Sequence, residues 1–294
     1  MSEPAVVAAT KLARVVWATR GASIGAFVFL LLEFVNGFRE EMEYLWTKRT
    51  RVRFVTYLYA WSRYFPLCAQ IVNFTLSEVT YASPSPKICF VAYIAKAVTS
   101  QLITTCVEGI LAVRVHALYN CSFRTGVFLV TILILGTALE IAGTATTLAH
   151  LEPGIGGSIC VPDRCPAATL AIYASGTGII QITLLVMTLF RILVNRHTGW
   201  MRTPVVSLVL RDGILVFVML AIMTSVLISF EIMRTAGVLV WNAAFSWYVT
   251  LLSIAGCRLV MNMRKLAVNQ VRHSQRNSTM TAFSSIFGDF SVPS

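Results

Sequence analysis

The strongest constraint in this sequence is a series of seven apolar stretches, each long enough for a helix that crosses a membrane. Such a helix needs about 20 mostly apolar residues, because every backbone amide must find its hydrogen-bond partner inside the segment. Only 13% of the 294 residues are charged, against about 25% in a soluble domain. The pattern predicts an all-α polytopic membrane protein. The seven predicted spans are 22–38, 54–76, 91–113, 126–149, 167–193, 213–233 and 238–257.

The connections between these stretches are short except between spans four and five, and the sequence shows no tandem repeat. We therefore expect one seven-helix bundle over residues 1–265. Residues 266–294 form a tail that is basic at first and then rich in serine and threonine, a composition typical of disordered segments. Its basic first part suits contact with an anionic lipid surface.

The distribution of Lys and Arg predicts the orientation, because short cytoplasmic loops are enriched in them. With the N-terminus outside, cytoplasmic segments hold sixteen of the 24 basic residues and outer segments hold six. Three of those six precede the first span and argue the other way. The balance predicts an external N-terminus and a cytoplasmic C-terminus, in the plasma membrane or another secretory-pathway membrane.

The net charge of +11 follows largely from this topology and from attraction to anionic lipid. Nucleic-acid binding needs a basic face on a folded aqueous domain, and the sequence has no room for one. The bilayer itself is the predicted partner, and nucleic acid is not one.

Catalytic and cofactor motifs are missing from the sequence. The GASIG stretch at 21–25 fits the G-x-S-x-G pattern of a hydrolase, but that elbow needs a strand, a sharp turn and a helix, whereas this one starts an apolar helix. Metalloprotease, P-loop and dinucleotide fingerprints are absent. The last span has no lysine for a retinal Schiff base. We expect no enzyme activity, no cofactor and no metal.

Arg63 is placed about ten residues into span two, where a charge costs at least about 2.5 kcal/mol unless it faces protein, water or a carboxylate. Its candidate partners are Glu33 in span one and polar groups in span three. There Lys96, Ser100, Thr104 and Glu108 recur every four residues, and such steps drift only slowly around a helix. They predict a polar stripe that looks into the bundle.

Span four repeats this pattern with Glu140 among its threonines, at 137, 144 and 147. These charges indicate a ligand cavity, a conduction path, or a polar network that only holds the helices together. Arg114, at the inner end of span three, is the candidate for a cytoplasmic switch.

Three cysteines lie on the predicted outer side, where the environment is oxidising. A disulfide from Cys89, at the mouth of span three, to Cys160 or Cys165 would tie the longest outer loop to the bundle. The sequence does not choose between these partners.

Four segments carry a resemblance to a known family. They are LLEFVNGFREEMEYLW at 31–46, SRYFPL at 62–67, RVHALY at 114–119 and CRLVMNMR at 257–264. The chain resembles fungal, largely basidiomycete, multi-span membrane proteins that share an N-terminal domain of unknown function, most strongly over residues 30–76. The family pattern matches Glu41 and Arg63-Tyr64. It departs at Leu32-Glu33, where the family has Tyr-Asp. The resemblance implies a seven-span membrane protein and no particular activity.

The predicted architecture is similar to that of G-protein-coupled receptors, although Arg114 lacks a preceding acid and the last span lacks an Asn-Pro-x-x-Tyr bend. We rank first a receptor-like sensor with a small-molecule ligand and a cytoplasmic signalling partner. A transporter or channel is the alternative; it is ranked lower because neither inverted repeats nor paired Gly/Pro interruptions are evident. A membrane scaffold, with a purely structural polar interior, comes third.

Overall fold

The computed structural model describes residues 3–43, 53–82, 85–119, 121–149, 167–197 and 242–265, with residues 214, 217–219, 221–222 and 225–226. All regular structure in these residues is helical. The helices described without a break are α1 Glu3–Glu41, α2 Arg53–Ala82, α3 Pro86–Leu118, α4 Phe123–Ala149, α5 Ala167–His197 and α6 Asn242–Lys265.

The helices are longer than the apolar stretches that predict them. α3 runs from Pro86 to Leu118, whereas apolarity alone predicts 91–113. It begins where Ser85 is extended and proline occupies the first turn, a position that tolerates the missing N–H. α1 begins at Glu3, far ahead of the predicted start at residue 22. Hydropathy marks only the part of a helix that suits hydrocarbon, and the backbone continues past it.

Five of the described helices contain segments long and apolar enough to cross a membrane. These segments are Val16–Glu41, Lys87–Leu118, Phe123–Ala149, Ala171–Arg191 and Asn242–Lys265. α2, predicted as the second span, is not among them, although its 30 residues would extend about 45 Å. Its polar side chains, Arg63, Gln70 and Asn73 among them, lower its hydropathy and are buried in the bundle. The sixth predicted span, 213–233, lies mostly outside the described residues.

The outward faces of these helices are apolar. On α4, for example, Phe128, Ile134 and Ile141 are about half exposed or more. Contiguous exposed apolar surface of this kind is rare on soluble monomers and suits contact with lipid. The helices therefore define a membrane protein.

Contacts between helices fix their relative directions. Thr250 of α6 donates to the carbonyl of Ala26 in α1, and Arg258 lies against Glu33, so α1 and α6 are parallel. Contacts of α3 with α6, at Lys96–Asn242 and Thr104–Tyr248, make these two helices parallel as well. We call the end at which α3 and α6 begin the upper end of the bundle, and the end at which they finish the lower end.

α2 and α4 run in the opposite direction. α4 is antiparallel to α3, because Gln101 lies against Glu140 whereas His116 lies against Gly126. Gln70 of α2 donates to the Ser246 carbonyl, and Ser253 of α6 donates to the Ser62 carbonyl, which is an antiparallel register. α6 is the central helix: 72% of its apolar window is buried, against 11–28% for the other four candidate spans.

α4 and α5 approach each other most closely, and glycines permit it. A Cβ on Gly143 would lie 2.8 Å from the Tyr173 nitrogen, and one on Gly176 would lie 2.8 Å from the Gly136 carbonyl oxygen. Small residues at helix contacts let backbones approach and gain van der Waals packing where no hydrophobic driving force exists. This contact aligns Glu140 of α4 with the interior.

Candidate functional site

Arg63 lies in the interior, as predicted, and it is held by α1. Its Nε lies 2.7 Å from Oε2 of Glu41, and its Nη2 donates to the Phe34 carbonyl at 2.7 Å. Tyr64 donates to the other Glu41 oxygen at 3.0 Å. Glu41 is fully buried and Arg63 is 6% exposed. We call Arg63, Glu41, Tyr64 and Phe34 the α1–α2 clamp.

Gly37 gives Arg63 the room to lie along α1. A Cβ at this position would come within 3.0 Å of the Arg63 Nη1 atom. The guanidinium also lies over the Phe34 ring, 4.5 Å from its centroid, within the range of a cation–π contact. The charge is therefore neutralised, hydrogen-bonded and covered by an aromatic face.

The predicted pairing of Arg63 with Glu33 is wrong. Glu33 pairs instead with Arg258 of α6 at 2.9 Å, and Lys265 pairs with Glu40 at 2.8 Å. Successive residues on a helix turn by about 100°, so Glu33 and Glu40, seven positions apart, point in nearly the same direction and both reach α6, whereas Glu41 points about a quarter turn away and reaches α2. α1 is thus linked to two helices by acids from one short segment.

The stripe predicted on α3 faces the interior, and two of its polar groups, with a third beside it, reach other helices. Lys96 donates to Asn242 of α6, and the Thr104 hydroxyl lies 2.6 Å from the Tyr248 hydroxyl. Gln101, beside the stripe, donates to Glu140 of α4 at 2.6 Å. Within the described part of the chain, Ser100 donates only to the Ala97 carbonyl of its own helix.

The threonines predicted to extend this network along α4 do not reach other helices through any described hydrogen bond. Thr137, Thr144 and Thr147 each donate to the carbonyl four residues earlier in α4. This local bond satisfies a hydroxyl in an apolar medium without a partner helix. Glu140 is the member of the α4 set that joins the interior network.

Glu108, at the lower end of the stripe, is fully buried, as is Glu140. Neither oxygen of Glu108 has a hydrogen-bond partner among the described residues, and one oxygen of Glu140 has none. The two carboxyl groups lie near enough to interact electrostatically. Together with Gln101, these two acids form the cluster of the described interior with the most buried side-chain oxygens that lack a hydrogen-bond partner.

Two cavities lie along the seam between α1, α2 and α6. The upper cavity, about 210 Å³, is lined by Arg20, Ser23, Gln70, Glu78 and Asn242 among others. Arg20 and Glu78 form an ion pair at 2.6 Å across it, with about a third of each side chain exposed. Polar groups and aromatic or aliphatic side chains share its wall, so it suits a small amphipathic molecule.

The lower cavity, about 710 Å³, lies beside the clamp and the ion pairs of α6. Glu33, Arg63, Arg258, Asn262 and Lys265 contribute to its wall. Charged groups of both signs are more frequent here than in the upper cavity. This wall suits a polar or charged partner.

A hydrogen-bonded layer separates the two cavities. In it Gln70 donates to the Ser246 carbonyl at 2.7 Å and to the Thr250 hydroxyl at 3.2 Å, while Thr250 donates to Ala26. One turn lower, Ser253 donates to the Ser62 carbonyl at 2.7 Å. These bonds join α1, α2 and α6 and close the seam at mid-depth.

α6 supplies interior residues that the sequence analysis did not single out. Asn242, Ser246, Thr250 and Ser253 recur every three or four residues and are all buried. This spacing marks one face of a helix and is visible in the sequence. None of the four is charged, and uncharged polar residues are too common in membrane spans to indicate burial by themselves.

Arg114 is half-buried near the lower end of α3. At this end α3 also contacts α5, where Arg191 donates to the Leu118 carbonyl and Tyr119 donates to the Met187 carbonyl. The switch function of Arg114 is not tested by these contacts and stays a prediction.

Cys89 is disulfide-bonded, whereas Cys68, Cys106, Cys121 and Cys257 are free. Both predicted partners, Cys160 and Cys165, lie outside the described residues, so the pairing stays a prediction. Residues 21–25, the GASIG stretch, lie inside α1 rather than at a strand-to-helix turn. The described residues contain no group of three or more His, Cys, Asp or Glu side chains that could hold a metal ion.

The fold and interior thus define an all-helical membrane protein with a polar core. Residues 22–68 match the profile of a family of unknown function (DUF6533). Comparison with curated proteins and with solved structures found no match. The matched segment includes every residue of the clamp, so similarity to this family covers the α1–α2 contact.

Proposed function

We propose that the chain is a receptor-like membrane sensor with seven spans, whose small-molecule ligand occupies the upper cavity and whose signalling partner binds at the lower end. The observation that carries this proposal is the seam between α1, α2 and α6. It holds a cavity toward each end and a hydrogen-bonded layer between them. A receptor needs this arrangement, because its ligand and its partner must bind from opposite sides without a path between them.

The directions of the described helices support seven crossings. α5 is antiparallel to α4 and therefore runs downward like α3, and α6 also runs downward. The chain must return to the upper end between His197 and Asn242, which requires a further crossing. α1 and α6 are parallel, so the start of α1 and the finish of α6 lie at opposite ends.

Orientation comes from the excess of Lys and Arg in the segments at the lower end, which this proposal places in the cytoplasm. Cys89 then lies on the oxidising side, in agreement with its disulfide. The membrane is the plasma membrane or another membrane of the secretory pathway. The proposal includes no enzyme activity and no cofactor.

Side-specific thiol labelling tests this function. Ser23→Cys places a thiol in the upper cavity and Asn36→Cys one in the lower cavity. Gly25→Cys is the matched control, because a side chain there meets nothing within 4 Å and projects from the exposed face of α1. A membrane-impermeant maleimide is applied to intact cells or to inside-out vesicles, with the unsubstituted chain as the background.

For a receptor we expect Ser23→Cys to react from outside only, Asn36→Cys from inside only, and Gly25→Cys from neither side. The second candidate, a transporter, is favoured by the same two cavities, since one seam with a single closing layer could open alternately to either side. It predicts that Ser23→Cys reacts from both sides. A scaffold with a dry interior predicts that neither cavity position reacts.

A further inference from the structure

The interior network contains more hydrogen-bond acceptors than donors around Glu108 and Glu140. Four side-chain oxygens are buried without a hydrogen-bond partner among the described residues: Gln101 Oε1, Glu108 Oε1, Glu108 Oε2 and Glu140 Oε1. Both Gln101 donor contacts in the described network are directed to Glu140 and Thr105. A buried oxygen without a partner destabilises the fold, and a buried charge without one destabilises it more.

The neighbouring groups do not make up the deficit. The ion pairs of the described residues, at Arg20, Arg63, Arg258 and Lys265, involve neither carboxyl group. Lys96, three turns above Glu108 on α3, donates to Asn242. The site therefore holds two acids and no described basic partner.

Other ionisable groups face this site from two helices. Tyr173 of α5 and Tyr248 of α6 both interact electrostatically with the two acids. Tyr248 already shares a short hydrogen bond with Thr104, and Thr177 lies within hydrogen-bonding reach of Glu140. These hydroxyl oxygens are neutral, and α2 adds no ionisable group that interacts with Glu108 among the described residues.

We propose that Glu108 and Glu140, with the Gln101 carbonyl oxygen, bind one monovalent cation, a proton or a sodium ion, inside the bundle. A single positive charge satisfies the unpartnered oxygens and relieves the repulsion between the two carboxylates. The site joins α3 and α4 directly and faces α5 and α6, so occupancy stabilises the arrangement of four helices. This inference does not depend on the receptor function, because a transporter or a scaffold could hold the same cation.

Thermal unfolding of the purified full-length chain in detergent tests the proposal. In one arm sodium chloride is replaced by choline chloride at constant ionic strength and pH. In the other arm the pH is varied from about 5 to about 8 without sodium. The variants are Glu108→Gln and Glu140→Gln, and Glu33→Gln is the control, because Glu33 is bridged to Arg258 outside this site.

If the cation is sodium, the midpoint of the unsubstituted chain rises by about 3 °C in sodium relative to choline, and the rise is absent from Glu108→Gln and Glu140→Gln. If the cation is a proton, sodium has no effect, and the midpoint falls as the pH is raised, more steeply than in the two variants. Glu33→Gln should follow the unsubstituted chain in both arms.

The proposal is overturned if Glu108→Gln and Glu140→Gln respond to sodium and to pH in the same way as the unsubstituted chain. Should Glu108→Gln fail to fold, Glu140→Gln alone carries the comparison. Glu140 accepts a hydrogen bond from Gln101, and the side-chain oxygen of a glutamine at this position can accept the same bond. An equal response in that variant would overturn the proposal as well.

Discussion

At the scale of residues, the described interior separates its charges into a buried pair and exposed pairs. The side chains of Glu41 and Arg63 are 0% and 7% exposed, whereas those of Glu33 and Arg258 are 29% and 67% exposed. An exposed pair contributes roughly 0–1 kcal/mol, since water and salt screen it. Removing one partner of a buried pair leaves an uncompensated charge, which costs about 3–5 kcal/mol. These two ion pairs of α1, Glu41–Arg63 and Glu33–Arg258, should therefore respond very differently to mutation.

We predict that Arg63→Leu lowers the free energy of unfolding by about 3–5 kcal/mol and that Glu41→Gln in the same chain recovers most of the loss. Glutamine keeps an acceptor for Tyr64 and removes the unpaired charge. The measurement is equilibrium unfolding in mixed micelles with increasing SDS. Glu33→Gln is the matched control and should cost less than about 1 kcal/mol.

A rescue of Arg63→Leu by Glu33→Gln, with none by Glu41→Gln, would contradict the observed pairing. The sequence predicts that Arg63 is an interior charge that needs an acid, because an unpaired guanidinium at this depth is too costly. It does not predict which acid. Residues 33 and 41 lie eight positions apart on α1, and helix rotation and register decide between them.

At the scale of elements, the contact between α4 and α5 depends on the absence of side chains. A Cβ on Gly176 would lie 2.8 Å from the Gly136 carbonyl oxygen and 3.0 Å from the Glu140 nitrogen. Backbone atoms cannot move aside as the end of a flexible side chain can. Gly178, two residues along the same helix, meets nothing within 4 Å. α5 thus provides a glycine at the contact and one away from it.

We expect Gly176→Ala to destabilise the protein by about 1–3 kcal/mol, the usual cost of overpacking a close contact. Gly178→Ala should be neutral or slightly stabilising, because alanine has the higher helix propensity. Both are measured by the same SDS titration. Equal effects of the two substitutions would show that α4 and α5 do not approach as closely as described.

The existence of the described helices was predictable, whereas their contacts were not. Apolar length gives a helix such as α4 almost to its bounds, 126–149 against Phe123–Ala149. The interior side of α6 is also encoded, in the spacing from Asn242 to Ser253, but uncharged polar residues are common in spans and do not by themselves indicate burial. Whether a threonine bonds to its own helix or to a neighbour, as at Thr144 and Thr104, depends on packing that the sequence does not display.

At the scale of the whole molecule, the number of membrane crossings determines whether the two termini lie on the same side of the membrane or on opposite sides. α1 and α6 run in the same direction, so a chain that starts above the bundle leaves α6 below it. The seven predicted spans, an odd number, would also place the two ends of the chain on opposite sides. The absolute orientation rests on Lys and Arg, and three basic residues ahead of the first span oppose it.

We predict that a glycosylation reporter is modified when fused to the N-terminus and unmodified when fused to the C-terminus, and that an engineered sequon within 153–158 also acquires sugar. Asn73 begins a natural sequon but is 6% exposed and hydrogen-bonded to Ser246, so it should stay unmodified in either orientation and serves as the internal control. Asn120 begins a second sequon, between α3 and α4, and should stay unmodified because the proposed orientation places that end in the cytoplasm. Sugar on Asn120 and on the C-terminal reporter would reverse the orientation and move the upper cavity to the cytoplasm. The same side for both termini would contradict the parallel contact of α1 with α6.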